Sequence, residues 1–202
     1  MKIAINLFLL LAMIGLTYLV IQSVQEPIQF QDEKYKRERA VISQLEFIRE
    51  VQLAYRDIKG EFASDWDTLR YVLATDSFMN VRVFEVEDAE NEEGLLFDTT
   101  YVRAADSLKS MGWNLDSLEY VPYSEGVKFE VDAGLIEYQA TEVAVVQVRV
   151  RVADFMGEYA GNRVGGQYKS KYTRYDQEYN PNAYVAFGDM TRPTTAGNWR
   201  IK

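Results

Sequence analysis

The chain has 202 residues, 48% of them apolar and 26% charged, which is enough to form one folded domain with a packed core. It contains no His and no Cys, so a Ser-His-Asp triad, a Cys nucleophile, a thiolate zinc site and a disulfide are excluded. A formal charge of −9 argues against nucleic acid as a partner, because phosphates require a basic surface. We therefore expect a protein that is not an enzyme, with no catalytic residues, no metal site and no cofactor.

The charge is distributed unevenly. Residues 151–202 carry eight basic and five acidic residues, a net of +3, which leaves −12 for the first 150 residues. Opposite charges on two ends of one molecule would let identical copies dock head to tail. A solvated surface of mixed sign is the simpler interpretation.

The N-terminal segment is apolar. Residues 3–24 read IAINLFLLLAMIGLTYLVIQSV, without a single charge. At about 1.5 Å per residue a helix of this length measures roughly 33 Å, which spans the hydrocarbon layer of a bilayer. The alternative is a cleavable signal peptide, but its apolar region is usually shorter, about 7–15 residues, and IQSVQE offers no small-x-small cleavage site. We predict an uncleaved, single-pass signal-anchor over residues 1–25.

Two arguments bear on the orientation of this anchor. The basic residues that follow it are Lys34, Lys36, Arg37 and Arg39, and a literal positive-inside count would keep the body of the chain cytoplasmic. Acidic residues are interleaved with them, and large domains translocate largely regardless of charge. We expect the bulk of the chain to be extracytoplasmic, in the periplasm or at the surface.

The next segment has a helical pattern. Pro27 is expected to end or kink the first helix, and an amphipathic helix is predicted from about Asp32 to Lys59. Its apolar stripe has a 4-3-4-3 spacing and consists of Val41, Leu45, Ile48, Gln52 and Tyr55. Gly60 is a plausible C-cap. Ser64 is expected to cap a shorter helix, whose apolar side is Trp66, Leu69, Tyr71, Val72 and Leu73.

From Phe78 onward the pattern predicts strands. These are expected around residues 81–86, 95–102, 120–123, 128–132 and 135–138, with a tight turn at Gly134 and a short helix at 104–111. The clearest strand is 143–152, where Val alternates with polar residues, and a last one is expected at 183–187. The fold class is α+β: an N-terminal transmembrane helix, then an amphipathic helix packed on a mostly antiparallel sheet. The predicted segments are an anchor (1–25), a helical region (26–77) and a β-rich region (78–202) in the same globular domain as the helices.

Three clusters resemble sites and have simpler explanations. Six carboxylates between Glu85 and Glu93 could hold calcium, but they lack the spacing of a calcium loop, so a solvated hairpin is favoured. Asp65 and Asp67 could act as an acid–base pair, yet their position at a helix start accounts for them. The glycines of residues 157–166 lack the order of a phosphate-binding loop.

Aromatic and small residues suggest interfaces. The C-terminal region contains Tyr159, Tyr168, Tyr172, Tyr175, Tyr179 and Tyr184. Tyrosine is favoured at protein interfaces and is also common in ordinary sheet packing. Within the anchor, Asn6 can hydrogen-bond across a helix interface and Gly15 permits close approach of helices. The first five tyrosines, with Asn6 and Gly15, are the predicted interface residues.

The N-terminal part of the chain resembles type IV pilins and pseudopilins. The resemblance covers residues 1–73: an apolar helix, a charged amphipathic helix, the stretch REVQLAYRDIKGEF at 49–62, and Asp67–Leu69 in the following short helix. It implies a pilin-like plan with a small sheet. The family has a basic leader ending in Gly and then a Glu five residues in. Here position 5 is Ile5 and no such leader precedes the span, which argues against the prepilin peptidase route.

These features predict a non-catalytic structural subunit of a membrane-associated envelope assembly of the pilus, secretion or motility kind. Its expected partners are the membrane and either further copies of itself or other envelope proteins. The alternative is an extracytoplasmic ligand-binding or sensory domain that acts with a separate partner.

Overall fold

The computed structural model describes residues 2–75, 77–85, 95–103 and 117–199. The fold is α+β, with a long N-terminal apolar helix and an antiparallel sheet. The helices are α1 (Lys2–Lys59), α2 (Trp66–Thr75) and α3 (Val152–Met156), with short 3-10 helices at Gly157–Ala160 and Lys171–Arg174. The strands are β1 (Ser77–Glu85), β2 (Leu95–Arg103), β3 (Glu130–Tyr138), β4 (Thr141–Arg151), β5 (Asn162–Val164), β6 (Gln167–Lys169) and β7 (Tyr184–Gly188).

Helix α1 does not end at Pro27. It continues for 58 residues through the proline, so the predicted separate helices are one element. Proline at position 27 lacks the N–H that would donate to the carbonyl of Ser23, a loss of one hydrogen bond in a helix that forms strongly on both sides. The helix is long and apolar enough at its N-terminal end to cross a membrane, by length and composition.

Caps define the next elements. Gly60 has a φ of +81° and its N–H donates to the carbonyl of Arg56 at 2.7 Å, which confirms it as the C-cap of α1. Helix α2 is capped by Asp65 rather than Ser64, because the N–H of Thr68 donates to Asp65 Oδ1 at 2.7 Å. Leu69, Val72 and Leu73 are buried on this helix as predicted. Tyr71 is not, with 70% of its side chain exposed, because it lies on the opposite face.

Strands β1 and β2 form an antiparallel hairpin in which Ser77 pairs with Arg103 and Glu85 with Leu95. This agrees with the strands predicted on either side of the acidic run. The acidic residues that follow Glu85, and the helix predicted at 104–111, lie outside the described residues.

The three-stranded sheet has the order β3-β4-β7, and β3 and β4 are antiparallel. The prediction of a turn at Gly134 is wrong: Gly134 lies inside β3 and pairs with Val145. The turn is at Gln139–Ala140, where both residues have positive φ, 51° and 59°. The strand predicted at 120–123 is only an isolated bridge between Tyr120 and Lys128.

Strand β4 shows the predicted alternation of burial. Val146, Val148 and Val150 are buried, and the polar residues between them are only partly covered. The next residue, Val152, begins α3 instead of extending the strand. β7 matches the strand predicted at 183–187 within one residue.

The chain divides into two compact units. The tail unit comprises Met1–Val41, Pro122–Ser124 and Arg151–Ala183. The sheet unit comprises Ile42–Val121, Glu125–Val150 and Tyr184–Lys202. The stripe predicted on α1 is buried along its length: Val41, Leu45, Ile48, Gln52 and Tyr55 are at most 5% exposed. The predicted segments 1–25, 26–77 and 78–202 stay a prediction.

Candidate functional site: the helix–tail cluster

An aromatic cluster forms around Phe30, six residues beyond the apolar segment of α1. Phe30 is completely buried. Its ring stacks on Tyr172 at a centroid distance of 5.0 Å and meets Tyr179 edge-on at 5.0 Å. Tyr159 and Tyr175 complete the surrounding rings at 5.8 and 6.5 Å. These five residues are called the helix–tail cluster. Contacts between aromatic rings stabilise it beyond the effect of burial alone.

Local hydrogen bonds hold the tyrosines in place. Ser170 caps the 3-10 helix Lys171–Arg174, because its Oγ accepts from the N–H of Tyr172 at 3.2 Å. The same hydroxyl donates to the carbonyl of Tyr159 at 2.5 Å, and the Tyr179 hydroxyl donates to that carbonyl at 3.1 Å. Burial raises the pKa of Tyr179 well above its ordinary value, so its proton stays available for this bond. The hydroxyls of Ser170 and Tyr179 thus both donate to the carbonyl of Tyr159.

The carboxylate of Glu26 binds polar and basic side chains next to the cluster. Lys171 Nζ donates to Glu26 Oε1 at 2.6 Å, and the Tyr175 hydroxyl donates to Glu26 Oε2 at 2.9 Å. Arg174 lies 3.5 Å from the same carboxylate. The hydrogen bonds from Lys171 and Tyr175 hold the pKa of Glu26 below its usual range. The carboxylate is therefore ionised and engaged two residues after the apolar segment ends.

One helical turn past Phe30, two further pairs connect α1 to the segment Arg151–Ala183, called the tail. Lys34 Nζ donates to Asp176 Oδ2 at 2.6 Å. Burial would raise the pKa of Asp176, but hydrogen bonds from Lys34 and from the Glu178 N–H outweigh it and lower the pKa. Arg37 donates to the carbonyl of Phe155 at 3.1 Å. The tail is thus attached to α1 at several points between residues 26 and 37, about 16 Å of helix.

The structure brings four of the five predicted interface tyrosines together, around Phe30 of their own chain. The fifth, Tyr168, lies apart on β6, where its backbone N–H and carbonyl are both bonded by the side chain of Asn182. Asn6 and Gly15 are exposed on α1. They are nine residues apart, about half a turn at roughly 100° per residue, so they lie on opposite faces of the helix. Contact of any of these residues with a second copy stays a prediction.

The residues of α1 that contact the tyrosines were not among the predicted interface residues. Glu26, Phe30 and Lys34 are spaced four residues apart, and Arg37 and Val41 continue the same face by steps of three and four. That spacing extends the predicted stripe upstream of Val41. This extension was not predicted, because a helix break was expected at Pro27, between Glu26 and the later residues of the face.

The other candidate sites are structural. Asp65 caps α2, and Asp67 pairs with Arg70 at 2.5 Å. Glu119 is a buried carboxylate between Lys128 at 2.8 Å and Arg70 at 3.2 Å, and these partners lower its pKa. A carboxylate held ionised in this way is a poor general acid.

Among the residues that the structure describes, no group of three or more acidic side chains could hold a metal ion. Gly161 is explained by packing, since a Cβ there would lie 2.3 Å from the carbonyl oxygen of Lys169. The helix–tail cluster therefore offers attachment rather than chemistry: it fixes the tail to α1 at the point where the apolar segment ends. Comparisons with protein-family models, with curated proteins and with solved structures found no match for the chain.

Proposed function

We propose that this protein is a non-catalytic structural subunit of a membrane-associated envelope assembly, anchored by the apolar part of α1. One observation carries the proposal. The large apolar side chains of the segment that the structure describes are exposed, and the helix that contains them is attached to the folded tail directly afterwards.

The exposed segment requires an apolar environment. Its large apolar side chains include Ile3, 86% exposed, and Leu16 and Leu19, at least 60% exposed. No charged residue interrupts them anywhere in the segment. Burial in lipid, or between helices in lipid, is the environment that such a surface favours.

The attachment supports a structural role. A flexible tether would suffice to keep a soluble domain near a membrane. Here α1 is continuous from Lys2 to Lys59, and the bonds of Glu26, Phe30 and Lys34 hold the tail to it. A continuous helix transmits position and force between lipid and protein, as a subunit of an assembly must.

Two opposite faces of the apolar segment support contacts between copies. Ala12 and Gly15 lie on one face, and Asn6 and Thr17 lie on the other. The Thr17 hydroxyl already donates to the carbonyl of Met13 at 2.8 Å, so Asn6 is the free polar group of the pair. Helices with two different faces suit head-to-tail packing, in which each copy meets two neighbours.

The finer fold prediction belongs to the same proposal. Four residues of the stripe (Val41, Leu45, Ile48 and Tyr55) and the neighbouring Val51 cover one face of the sheet, as in a pilin-like plan. The bulk of the chain lies outside the cytoplasm. Protease treatment of intact spheroplasts tests the location: digestion of the body is expected, and complete protection would contradict it.

Disulfide crosslinking tests the assembly, since the chain has no native Cys. Gly15 and Thr17 lie on opposite faces at nearly equal depth. In native membranes under mild oxidation, the double variant Gly15→Cys/Thr17→Cys should give a ladder of trimers and larger species. Either single variant should give dimers at most.

The matched control is Leu16→Cys/Tyr18→Cys, which shifts both sites by one residue and about 100° around the helix. Leu16 and Tyr18 are each 64% exposed. The control should give no ladder. Equal ladders from both pairs would indicate random collision, and monomers or dimers alone from the first pair would contradict a head-to-tail assembly.

A further inference from the structure

The tail contains a stretch without any acidic residue. Residues 159–175, called the basic segment, carry Arg163, Lys169, Lys171 and Arg174 and neither Asp nor Glu. Since the net charge of the whole chain is −9, the residues outside this segment carry −13. The segment itself carries +4, or +3 with Glu26 included; Glu158 and Asp176 flank it in the sequence, and Asp176 is paired with Lys34.

The C-terminal end of the basic segment, at Lys171 and Arg174, is held at the level where α1 leaves its apolar stretch. Lys171 is 2.6 Å from Glu26, which lies two residues beyond Val24, or about 3 Å along the helix axis. If the apolar stretch occupies the hydrocarbon layer, Lys171 and Arg174 lie at the depth of the lipid headgroups. This step rests on the proposed membrane anchoring.

The basic side chains remain available to a ligand. Lys171 and Arg174 keep 60% and 59% of their side chains exposed although both approach Glu26. The Lys171 ammonium has three donors and gives one to Glu26, and it lies 4.9 Å from the ring centroid of Tyr172. The Arg174 guanidinium lies 4.6 Å from the ring of Tyr175. Basic residues beside aromatic rings are typical of protein surfaces at membrane interfaces.

An exposed apolar residue lies in the same segment. Val164 ends β5, next to the Gly165–Gly166 turn of the β5–β6 hairpin, and is 53% exposed. Arg163 and Lys169 are exposed on the two strands of this hairpin. An apolar tip between basic side chains has the composition of a loop that enters the headgroup region.

We propose that the basic segment binds the surface of the same bilayer, with Lys171, Arg174, Arg163 and Lys169 contacting the phosphates of anionic lipids and Val164 entering the headgroup layer. Glu26 pairs with Lys171 and Arg174 and offsets part of their positive charge, so its carboxylate competes with lipid phosphates for them. The segment thereby fixes the tilt of the tail unit against the membrane.

The test uses the full chain with Val164→Cys, labelled with an environment-sensitive fluorophore. The protein is reconstituted in vesicles of phosphatidylcholine alone or with about 30 mol% phosphatidylglycerol, each with a headgroup spin-labelled lipid as quencher. Quenching should be about twofold greater in the anionic vesicles, and about 0.5 M salt should remove the difference. Lys171→Gln/Arg174→Gln should also reduce this difference in quenching between the two kinds of vesicle.

Two controls separate charge from folding. Arg39→Gln/Arg192→Gln removes the same charge from exposed positions outside the basic segment and should leave quenching unchanged. Glu26→Gln breaks the pairing with Lys171 but retains every positive charge. It should keep or increase quenching, whereas a purely structural role of the pair would make it as harmful as the loss of Lys171 and Arg174.

Flotation of the labelled protein with neutral vesicles separates the two proposals. A protein that floats and is quenched equally in both lipids, as expected if the basic segment faces solvent or an acidic protein, would overturn this inference and leave the anchor intact. A protein that does not float would overturn the membrane anchoring, and this inference with it.

Discussion

The side-chain amide of Gln52 makes both of its hydrogen bonds to the backbone of Ala63. Its Nε2 donates to the carbonyl of Ala63 and its Oε1 accepts from the N–H of Ala63, each at 3.0 Å. Gln52 is 1% exposed and Ala63 equally buried. This reciprocal pair closes the loop after α1 and satisfies two backbone groups that have no access to water.

Replacing Gln52 with Leu should destabilise the protein by about 2–4 kcal/mol, because it leaves the buried N–H and carbonyl of Ala63 without partners. Urea unfolding of the full chain in detergent measures this. Gln44→Leu is the control: it removes one bond, to the carbonyl of Leu118, at a partly exposed site and should cost about 1 kcal/mol or less. Equal effects of the two variants would contradict the assignment.

Replacing Phe30 with Ala should weaken the attachment of the tail to α1. Truncation of a fully buried Phe costs about 3–5 kcal/mol, because a cavity replaces the packed ring. We expect earlier unfolding and faster proteolysis within residues 155–183. Ile28→Ala, at a position on the same helix that is 54% exposed, should change neither measurement appreciably. If both variants behave alike, the cluster does not hold the tail.

The β3–β4 turn can be improved. Gln139 and Ala140 adopt positive φ, which favours Asn and Gly in a two-residue hairpin turn. Gln139→Asn/Ala140→Gly should therefore raise the free energy of unfolding by about 1 kcal/mol. The reverse control, Ala140→Val, should lower it, because a β-branched residue tolerates positive φ poorly. An unchanged urea midpoint in both variants would show that the turn has another conformation.

Acid should remove the contribution of Glu119. Its pKa is lowered from the ordinary 4.5 by Lys128 and Arg70 against the opposing effect of burial. A lowered folded-state pKa stabilises the protein fully above about pH 4.5, and this stabilisation is lost as the pH falls through the folded-state pKa. The difference in urea midpoint between the native protein and Glu119→Gln should be large at pH 7 and shrink below pH 4.5.

The exposed carboxylate Glu61 provides the comparison. Glu61→Gln should shift the midpoint little at either pH, because an exposed side chain contributes little to stability. A Glu119→Gln effect that persisted unchanged at low pH would mean that shape, rather than charge, matters at this site.

Elements with a strong local pattern were predicted well. The alternation of β4, the buried stripe of α1 and the Gly60 cap follow from period and from backbone preference, which act over a few residues. The turn was wrongly predicted at Gly134, because the neighbouring sequence does not distinguish a glycine inside a strand from a glycine in a turn. The actual turn at Gln139–Ala140 carries no turn-forming residue, so tertiary pairing of β3 with β4 imposed it.

The helix–tail cluster could be predicted only in part. The tyrosines were identified as informative, but their partners Phe30 and Glu26 lie far away in the sequence. Lys171 and Glu26, for example, are 145 positions apart. Pairing over such distances depends on which surfaces meet when the chain folds. The periodicity of one segment does not specify the partners of that segment.

By itself the sequence determined the apolar segment, the amphipathic character of the helix that follows, the strand-rich remainder and the absence of His and Cys chemistry. These properties are sums over neighbouring residues. The tertiary structure alone decided that α1 continues through Pro27 and that four tyrosines surround Phe30 of their own chain. Both outcomes depend on long-range packing, because the burial of Phe30 and the bonds to Glu26 and Lys34 stabilise the helix just where the proline removes one of its own hydrogen bonds.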